Sequence, residues 1–299
     1  MTLVKTKRAK VGSARCLFLG IGLLGLGLAL PAHAVAEEEF LPIDEYIGPD
    51  GLTGDSIYQS MLDNRFESYG QRLVMRSGDQ GGNFQLVEVG LKYKRYDPEK
   101  KGILSKTIAK YFEPHDVRHL GYLIINKEEG QDDQFVYRPS SRKVRRVNVR
   151  GESIMGTDFA FEDVVPPEFE DGTHHRMPDE DVEDRKVFVV THVPNAATES
   201  EYSKLVIYID KERFIPLRTW YWDNKRVLVK RLDADLSTIN KYEGNNGADG
   251  KPRTVWIAER SSMKQLKTGS FTELEIENFE ADPKLRDRDF SQRQLTRSR

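Results

Sequence analysis

Alternation of apolar and charged residues with a period of two constrains the fold of this 299-residue chain more than any other feature. The pattern is clearest in residues 84–96 and 273–277. Its apolar members are Val87, Val89, Leu91 and Tyr93 in the first segment and Leu274 and Ile276 in the second. Because successive side chains of a strand point to opposite sides of a sheet, each segment is predicted to be a β-strand with one buried and one solvated face.

Two other segments, 187–193 and 205–209, are apolar on both faces and are predicted to be central strands or strands covered on both sides. Turns rich in glycine, asparagine and aspartate separate the runs, and they lie at 78–83, 97–102, 130–133 and 244–252. The spacing of these turns predicts about ten to twelve strands in hairpin order.

One helix is predicted at residues 55–68, where Asp55 is suited to cap the first turn. The apolar residues Ile57, Met61, Leu62 and Phe66 lie on one stripe of this helix. An amphipathic helix of this kind must bury its apolar face against another element.

Residues 1–34 have the three parts of a cleavable secretory signal peptide. Five basic residues and no acidic residue precede the apolar run 17–30, which is followed by Pro31-Ala32-His33-Ala34. The run is too short and too rich in glycine for a permanent membrane span. Cleavage is expected after Ala34 or after Ala36, and the expected location is a bacterial periplasm.

Removal of this segment changes the chemistry of the remaining chain. The net charge becomes −7, because the full chain carries −2 and the segment contains five basic and no acidic residues. The only cysteine, Cys16, precedes the apolar run, which argues against a lipid-modified anchor and leaves no thiol in the mature chain. Residues 35–299 are long enough to form one domain stabilised by its core alone, with a long acidic surface loop predicted at 162–185.

Catalytic and metal-binding motifs are not supported by their spacing. Ser261-Ser262-Met263-Lys264 and Lys267-Thr268-Gly269 resemble motifs of penicillin-recognising enzymes, but they lie too close together, and the second is better explained as a turn between strands. His174-His175 is interpreted as a pair of solvated loop histidines rather than a metal site, since zinc needs three or four convergent ligands. No catalytic residue, metal or cofactor is expected.

A basic cluster extends from Arg142 to Arg150. In an exported acidic protein it does not indicate nucleic-acid binding. Two interpretations stay open, namely a solvated hairpin and a contact with lipid phosphate or an acidic partner.

The segment that begins at this cluster resembles the outer membrane lipoprotein-sorting family, which is similar to the periplasmic lipoprotein carrier LolA. An aromatic-Tyr-x-Pro hairpin precedes a pair of arginines and then a Met-Gly-Thr-Asp-Phe sequence. The residues that carry the resemblance are Tyr137, Pro139, Arg145, Arg146, Met155, Gly156, Thr157, Asp158, Phe159, Glu162 and Asp163. From the residue types alone, a structural role for this motif is at least as well supported as ligand binding.

The resemblance implies a mainly β fold, a single incompletely closed antiparallel β-barrel whose apolar concave side is partly covered by an N-terminal helix. The chain is longer than the compact carrier, and the acidic loop is extra. The resemblance implies carriage of a lipid or a lipid-modified protein, with an inner-membrane exporter or an outer-membrane acceptor as partners.

Three functions are compared. The first is a carrier that shields acyl chains in an apolar cavity, and the second is an adaptor of an envelope or exporter assembly with a packed interior. The third is a hydrolase, which no motif supports. For a carrier, the candidate lining residues are Ile57, Met61, Leu62, Val87, Val89, Leu91, Leu274 and Ile276. The same residues are equally suited to a filled core.

Overall fold

Strands account for most of the fold in the computed structural model, which describes residues 46–97, 99, 102–244 and 252–297. The described residues all belong to one unit, Phe40–Arg299. The predicted signal peptide and its cleavage site lie outside the described residues. No helix in the described part of the chain has the length and apolar character needed to span a bilayer.

The elements alternate between long strands and short helical turns. The first strands are β1 Ser68–Gly78, β2 Phe84–Arg95, β3 Ile103–Glu113, β4 Gly121–Lys127, β5 Asp133–Arg138, β6 Lys143–Arg146, β7 Gly172–Val182 and β8 Arg185–Pro194. The remaining strands are β9 Tyr202–Asp210, β10 Pro216–Asp223, β11 Leu228–Ala234, β12 Ile239–Gly244, β13 Arg253–Ala258, β14 Arg260–Gln265 and β15 Phe271–Ala281. The helices are α1 Gly54–Asp63, α2 Phe161–Val164 and α3 Gln292–Leu295.

Thirteen of the described strands form one antiparallel sheet in the order β6-β5-β4-β3-β2-β1-β15-β14-β11-β10-β9-β8-β7. The sheet does not close, because β6 and β7 lie at its two ends. The mainly β, open antiparallel fold expected from the sequence is therefore confirmed. The described strands outnumber the ten to twelve predicted, since short strands such as β6 have too few residues for alternation to be recognised.

Two halves of the sheet meet at one ladder. Strands β1 to β6 form the N-terminal half and β7 to β11, β14 and β15 form the C-terminal half, and β1 pairs with β15. Leu73 lies opposite Ile276, and Arg76 on the other face pairs with Glu275 at 2.8 Å. This ladder makes the two hairpin series a single continuous sheet.

Both ends of the sheet are covered on the convex side. The hairpin β12-β13 packs Ile239 and Trp256 against Val187, Val189 and Leu217. At the other end, the C-terminal segment packs its buried residues against β3 to β5, and these residues are Phe290 and Leu295. The cover at the β6 end explains why β4 has no exposed residue on either face.

The concave side of the N-terminal half is filled by the connection between β6 and β7. Val149, Ile154, Phe159 and Phe161 of this connection are all buried against β1 to β5. The inward residues of β2, predicted from alternation, contribute to the same core: Val87, Val89, Leu91 and Tyr93 are at most 5% exposed. This half of the barrel therefore has a packed interior.

Helix α1 covers part of the concave side of the C-terminal half. Thr53 caps it, because the Thr53 hydroxyl accepts from the Ser56 N–H while Ser56 bonds back to Thr53. Ile57 and Leu62 are buried against β8 and β9. The helix ends at Asp63 rather than at the predicted Ser68, since Ser68 already begins β1.

The predicted acidic loop at 162–185 is wrong over much of its length, because residues 172–182 form strand β7. Polar side chains occupy its inward positions: His174 and Arg176 are 4% and 0% exposed. Hydrophobic alternation is therefore missing from a genuine strand. By contrast, the prediction that 187–193 and 205–209 form central strands or strands covered on both sides is confirmed in its first form, since β8 lies between β7 and β9, and β9 lies between β8 and β10.

Arg176 connects β7 to the segment before α1. Its guanidinium pairs with Asp50 at 2.5 Å and Asp179 at 3.0 Å, and donates to the Leu52 carbonyl at 2.8 Å. It also lies over the Phe188 ring at 5.0 Å. A buried charge with this many partners fixes the position of the residues that lead into α1.

We expect Arg176→Met to lower the free energy of unfolding by about 3 kcal/mol, because it removes a buried cation and leaves Asp50 without its ion-pair partner, while Asp179 keeps Lys211. Lys186→Met is the matched control, since Lys186 pairs with Asp181 on the surface and both side chains are more than half exposed. The control should change stability by less than about 1 kcal/mol in urea denaturation. Equal losses in the two variants would contradict this role for Arg176.

Candidate functional site

A cavity of about 330 Å³ lies between α1, the segment that follows α2, and the concave face of β8 to β11. Its apolar wall is formed by Met61, Leu62, Val165, Leu205, Ile207 and Leu232. A second, much smaller void of about 20 Å³ lies in the N-terminal half and is lined by Val89, Leu91 and Val165 among others. Since Val165 borders both spaces, the segment after α2 separates an open half of the interior from a packed half.

Charged side chains hold this separating segment in place. Arg65 donates to the Pro167 carbonyl at 2.9 Å and pairs with Glu168 at 3.0 Å, and Glu168 is 3% exposed. Arg150 donates to the Thr198 carbonyl at 2.9 Å and lies 3.5 Å from the Asp171 carboxylate. Both arginines also line the cavity, so the ionic contacts that fix the segment form part of the cavity wall.

The acidic pair that ends the family motif lies at the same wall. The Glu162 carboxylate accepts from the Ser200 hydroxyl at 2.6 Å and the Glu201 N–H at 3.1 Å, and burial raises its pKa. Asp163 accepts from the Tyr202 hydroxyl at 2.8 Å and from Lys230 at 3.3 Å. These contacts attach α2 to β9 and β11 and leave Asp163 with a counter-charge.

A stack of three aromatic rings forms another part of the wall. Tyr58 of α1 lies 3.8 Å from His174 of β7 and 5.2 Å from His192 of β8, measured between ring centroids. Asp55 accepts a hydrogen bond from the His174 ring at 3.0 Å, if Nδ1 carries the proton. The stack joins α1 to the two last strands of the sheet.

Burial lowers the pKa of both histidines of the stack. It lowers the pKa of His174 despite the Asp55 hydrogen bond, and it lowers the pKa of His192 to about 3, with His174 and Arg150 adding to the effect. Gly172 on β7 leaves room for the His192 ring, since a Cβ there would lie 2.6 Å from its Cε1 and would clash with the Val193 carbonyl. The interpretation of His174 as a solvated loop histidine is wrong, because it lies on a strand under α1.

The predicted lining residues are divided between the cavity and the core. Met61 and Leu62 border the large cavity, and Val89 and Leu91 border the small void. Ile57 is buried against β8 and β9. Val87, Leu274 and Ile276 pack in the core of the N-terminal half and of the β1–β15 ladder.

The family motif is placed mainly at structural positions. Met155 and Gly156 have φ of 51° and 79° and form a turn, after which the Asp158 carboxylate accepts from the hydroxyls of Ser270 and Thr272. Thr157 and Phe159 are buried. On the β5-β6 hairpin, Tyr137 packs beneath the C-terminal segment, Pro139 lies in the turn, Arg145 is exposed, and Arg146 pairs with Asp133 at 2.6 Å.

Several cavity residues were not identified from the sequence. Tyr58, Leu205 and Ile207 carried a usable signal, because they lie on the helix stripe or on a strand apolar on both faces. Arg65, Tyr202 and His192 carried none, since isolated polar residues are ordinary on strands and loops. Arg150 was named only as the end of the basic cluster, which did not indicate that it lies in a cavity wall. Within the described ranges no group of histidine and acidic residues could hold a metal ion.

A family model with the description "Uncharacterized protein" matches residues 104–297. The chain belongs to this family. No protein of curated function matches the sequence.

Solved structures share the fold over most of the chain. A domain described as an outer membrane lipoprotein-sorting protein from Vibrio parahaemolyticus is 25% identical, with a TM-score of 0.70, and the match covers 82% of this chain and 98% of that one. A DUF1329 family protein from Desulfovibrio piger is 22% identical, with a TM-score of 0.69 and coverage of 81% and 97%. A LolA superfamily protein from Nitrosomonas europaea is 19% identical, with a TM-score of 0.61 and coverage of 81% and 99%. The fold is LolA-like, and the resemblance that the sequence motif indicated is confirmed.

His192 makes stability depend on pH in a defined window. Its pKa of about 3 in the folded chain lies below the value of about 6.5 of an unfolded chain, so the unfolded chain binds more protons between these values. Stability is therefore complete above about pH 6.5 and is lost as the pH falls towards 3. Between pH 7 and pH 5, His192 should account for a loss of about 2 kcal/mol.

Urea denaturation at both pH values checks this expectation. His192→Phe should remove that part of the pH dependence, because phenylalanine keeps a ring in the stack and does not titrate. The exposed His115 provides the control His115→Phe, which should retain the wild-type difference. An unchanged pH dependence in His192→Phe would show that this imidazole protonates freely in the folded chain.

Proposed function

We propose that the chain is a periplasmic carrier or binding protein that shields an acyl chain of a lipid or a lipid-modified protein in the cavity beneath α1. The single observation that carries the proposal is the cavity of about 330 Å³ itself, part of whose wall is aliphatic, beside a void of only about 20 Å³ in the N-terminal half. The likeness to a domain described as an outer membrane lipoprotein-sorting protein supports it. The signal-peptide pattern of residues 1–34 supports the periplasmic location.

The size of the cavity favours a single chain. Ligand pockets in proteins have volumes of about 300–1,000 Å³, and this cavity of about 330 Å³ is at the lower end. Each buried methylene contributes about 0.8 kcal/mol, so an acyl chain of about 14 carbons gains about 11 kcal/mol before the cost of ordering it. Ordering costs reduce this to an affinity from which the lipid can be released.

A direct test is to purify the mature protein from a periplasm and to record native and denaturing mass spectra. A carrier should retain a lipid in the native spectrum and release it in the denaturing one. The emptied protein should then take up the fluorescent apolar probe N-phenyl-1-naphthylamine. A protein that neither retains lipid nor takes up the probe is not a carrier.

Leu205→Trp should reduce the affinity for the probe at least tenfold. Leu205 of β9 borders the cavity, and the larger indole side chain would occupy part of the cavity volume. Leu86→Trp is the matched control, since Leu86 is 43% exposed on the other side of the sheet. Fluorescence titration measures both affinities, and circular dichroism checks that both variants are folded. Wild-type affinity in a folded Leu205→Trp variant would place the ligand elsewhere.

The alternative is an adaptor in an envelope or exporter assembly, and the packed N-terminal half favours it. The void there is only about 20 Å³, too small for any lipid. An adaptor would use the same fold as a rigid surface and would leave the larger cavity empty. The mass spectra separate the two functions, since only a carrier returns with lipid.

A further inference from the structure

One stretch of the cavity wall is polar, and it is formed by Arg150, Asp171, His192 and Thr198. These four residues, here called the polar wall, are contiguous. Arg150 contacts the Thr198 carbonyl and the Asp171 carboxylate, and Gly172, next to Asp171, lies against the His192 ring. The contacts of Arg150 with Asp171 and Thr198 fix the segment after α2, but an acyl chain alone would leave the buried Nδ1 of His192 without a hydrogen bond.

His192 is the member of the polar wall whose ring has a nitrogen without a hydrogen-bond partner. The residue is 6% exposed, and its buried Nδ1 atom has no hydrogen-bond partner among the described residues. Buried polar atoms are nearly always hydrogen-bonded in native proteins, so an exception needs an explanation. Stacking on Tyr58 and His174 fixes the ring, which therefore offers a preorganised donor and acceptor.

Charges along the cavity wall are already balanced. Arg150 lies beside Asp171, Arg65 pairs with Glu168, and Asp163 pairs with Lys230. Glu162 is hydrogen-bonded to Ser200, and burial favours its neutral form. A charged ligand group would lose its hydration here without gaining a counter-charge. An uncharged polar group would have a much smaller desolvation cost.

We propose that the polar wall binds the uncharged hydroxyl or ester headgroup of a single-chain lipid of the monoacylglycerol class, with His192 and Arg150 as its hydrogen-bonding groups. This inference rests on the proposed carrier function and specifies its ligand. The acyl chain lies along Leu205, Ile207 and Leu232, and the headgroup completes the hydrogen bonding of His192.

Three lipids with the same oleoyl-length chain test the inference at pH 7.4: monooleoylglycerol, oleate and oleylamine. Each is titrated against bound N-phenyl-1-naphthylamine. The neutral lipid should displace the probe at a concentration at least tenfold lower than either charged lipid. His192→Phe should weaken the binding of monooleoylglycerol about tenfold relative to the binding of the probe by the same variant, as expected for the loss of one hydrogen bond.

Two controls make the result specific. His192→Gln keeps a donor and an acceptor and should recover part of the affinity for monooleoylglycerol, whereas His115→Phe, at an exposed site, should behave as wild type. If His192→Phe does not fold, the ranking of the three lipids on the wild-type protein still decides the question.

The possible failures are distinguishable. Probe uptake with equal or tighter binding of oleate or oleylamine overturns the headgroup assignment and leaves the carrier function intact. An unchanged preference for monooleoylglycerol over oleate and oleylamine in folded His192→Phe also overturns the headgroup assignment. Absence of any probe or lipid uptake overturns the carrier function and the headgroup assignment together.

Discussion

An open sheet of thirteen described strands has two faces to cover and no second sheet to cover them, and the rest of the structure follows from this constraint. On the convex side, the β12-β13 hairpin and the C-terminal segment cover the two ends. On the concave side, the β6–β7 connection fills the N-terminal half of the sheet, and α1 covers part of the C-terminal half. The cavity is the space that these covers leave.

Polar contacts, rather than shape alone, keep that space from collapsing. The segment after α2 would lower its exposed apolar area by moving inward, but Arg65 and Arg150 hold it through Glu168, Asp171 and two carbonyl groups. The stack of Tyr58 with His174 and His192 holds α1 against β7 and β8. Groups that resemble a catalytic cluster in composition thus have an architectural explanation. The buried Nδ1 of His192 nevertheless has no hydrogen-bond partner among the described residues.

The strands that could be predicted are those whose two faces differ in polarity. Val87 to Tyr93 alternate with charged residues and form β2, and Lys267 to Gly269 form the expected turn before β15. Strand β7 was missed because ion pairs, and not apolar contacts, bury Arg176. The cavity was only partly predictable, since Met61 beside the cavity and Val87 in the core have the same apolar character in sequence. The two residues differ in what they face across the interior, which is empty space for Met61 and packed side chains for Val87. The sequence of one helix or strand does not specify this.

The β1–β15 ladder also determines the order in which this molecule can be assembled. Arg76 and Glu275, which pair across it, are separated by 199 positions, and Asp50 and Arg176 are separated by 126. Contacts between such distant positions form slowly, because a long loop must close before they can contribute. The first strand consequently stays an open edge, and the first helix stays without its partner, until the later strands have emerged. The β1–β15 ladder and the contact that fixes the start of α1 are therefore completed late, after the local hairpins of each half of the sheet.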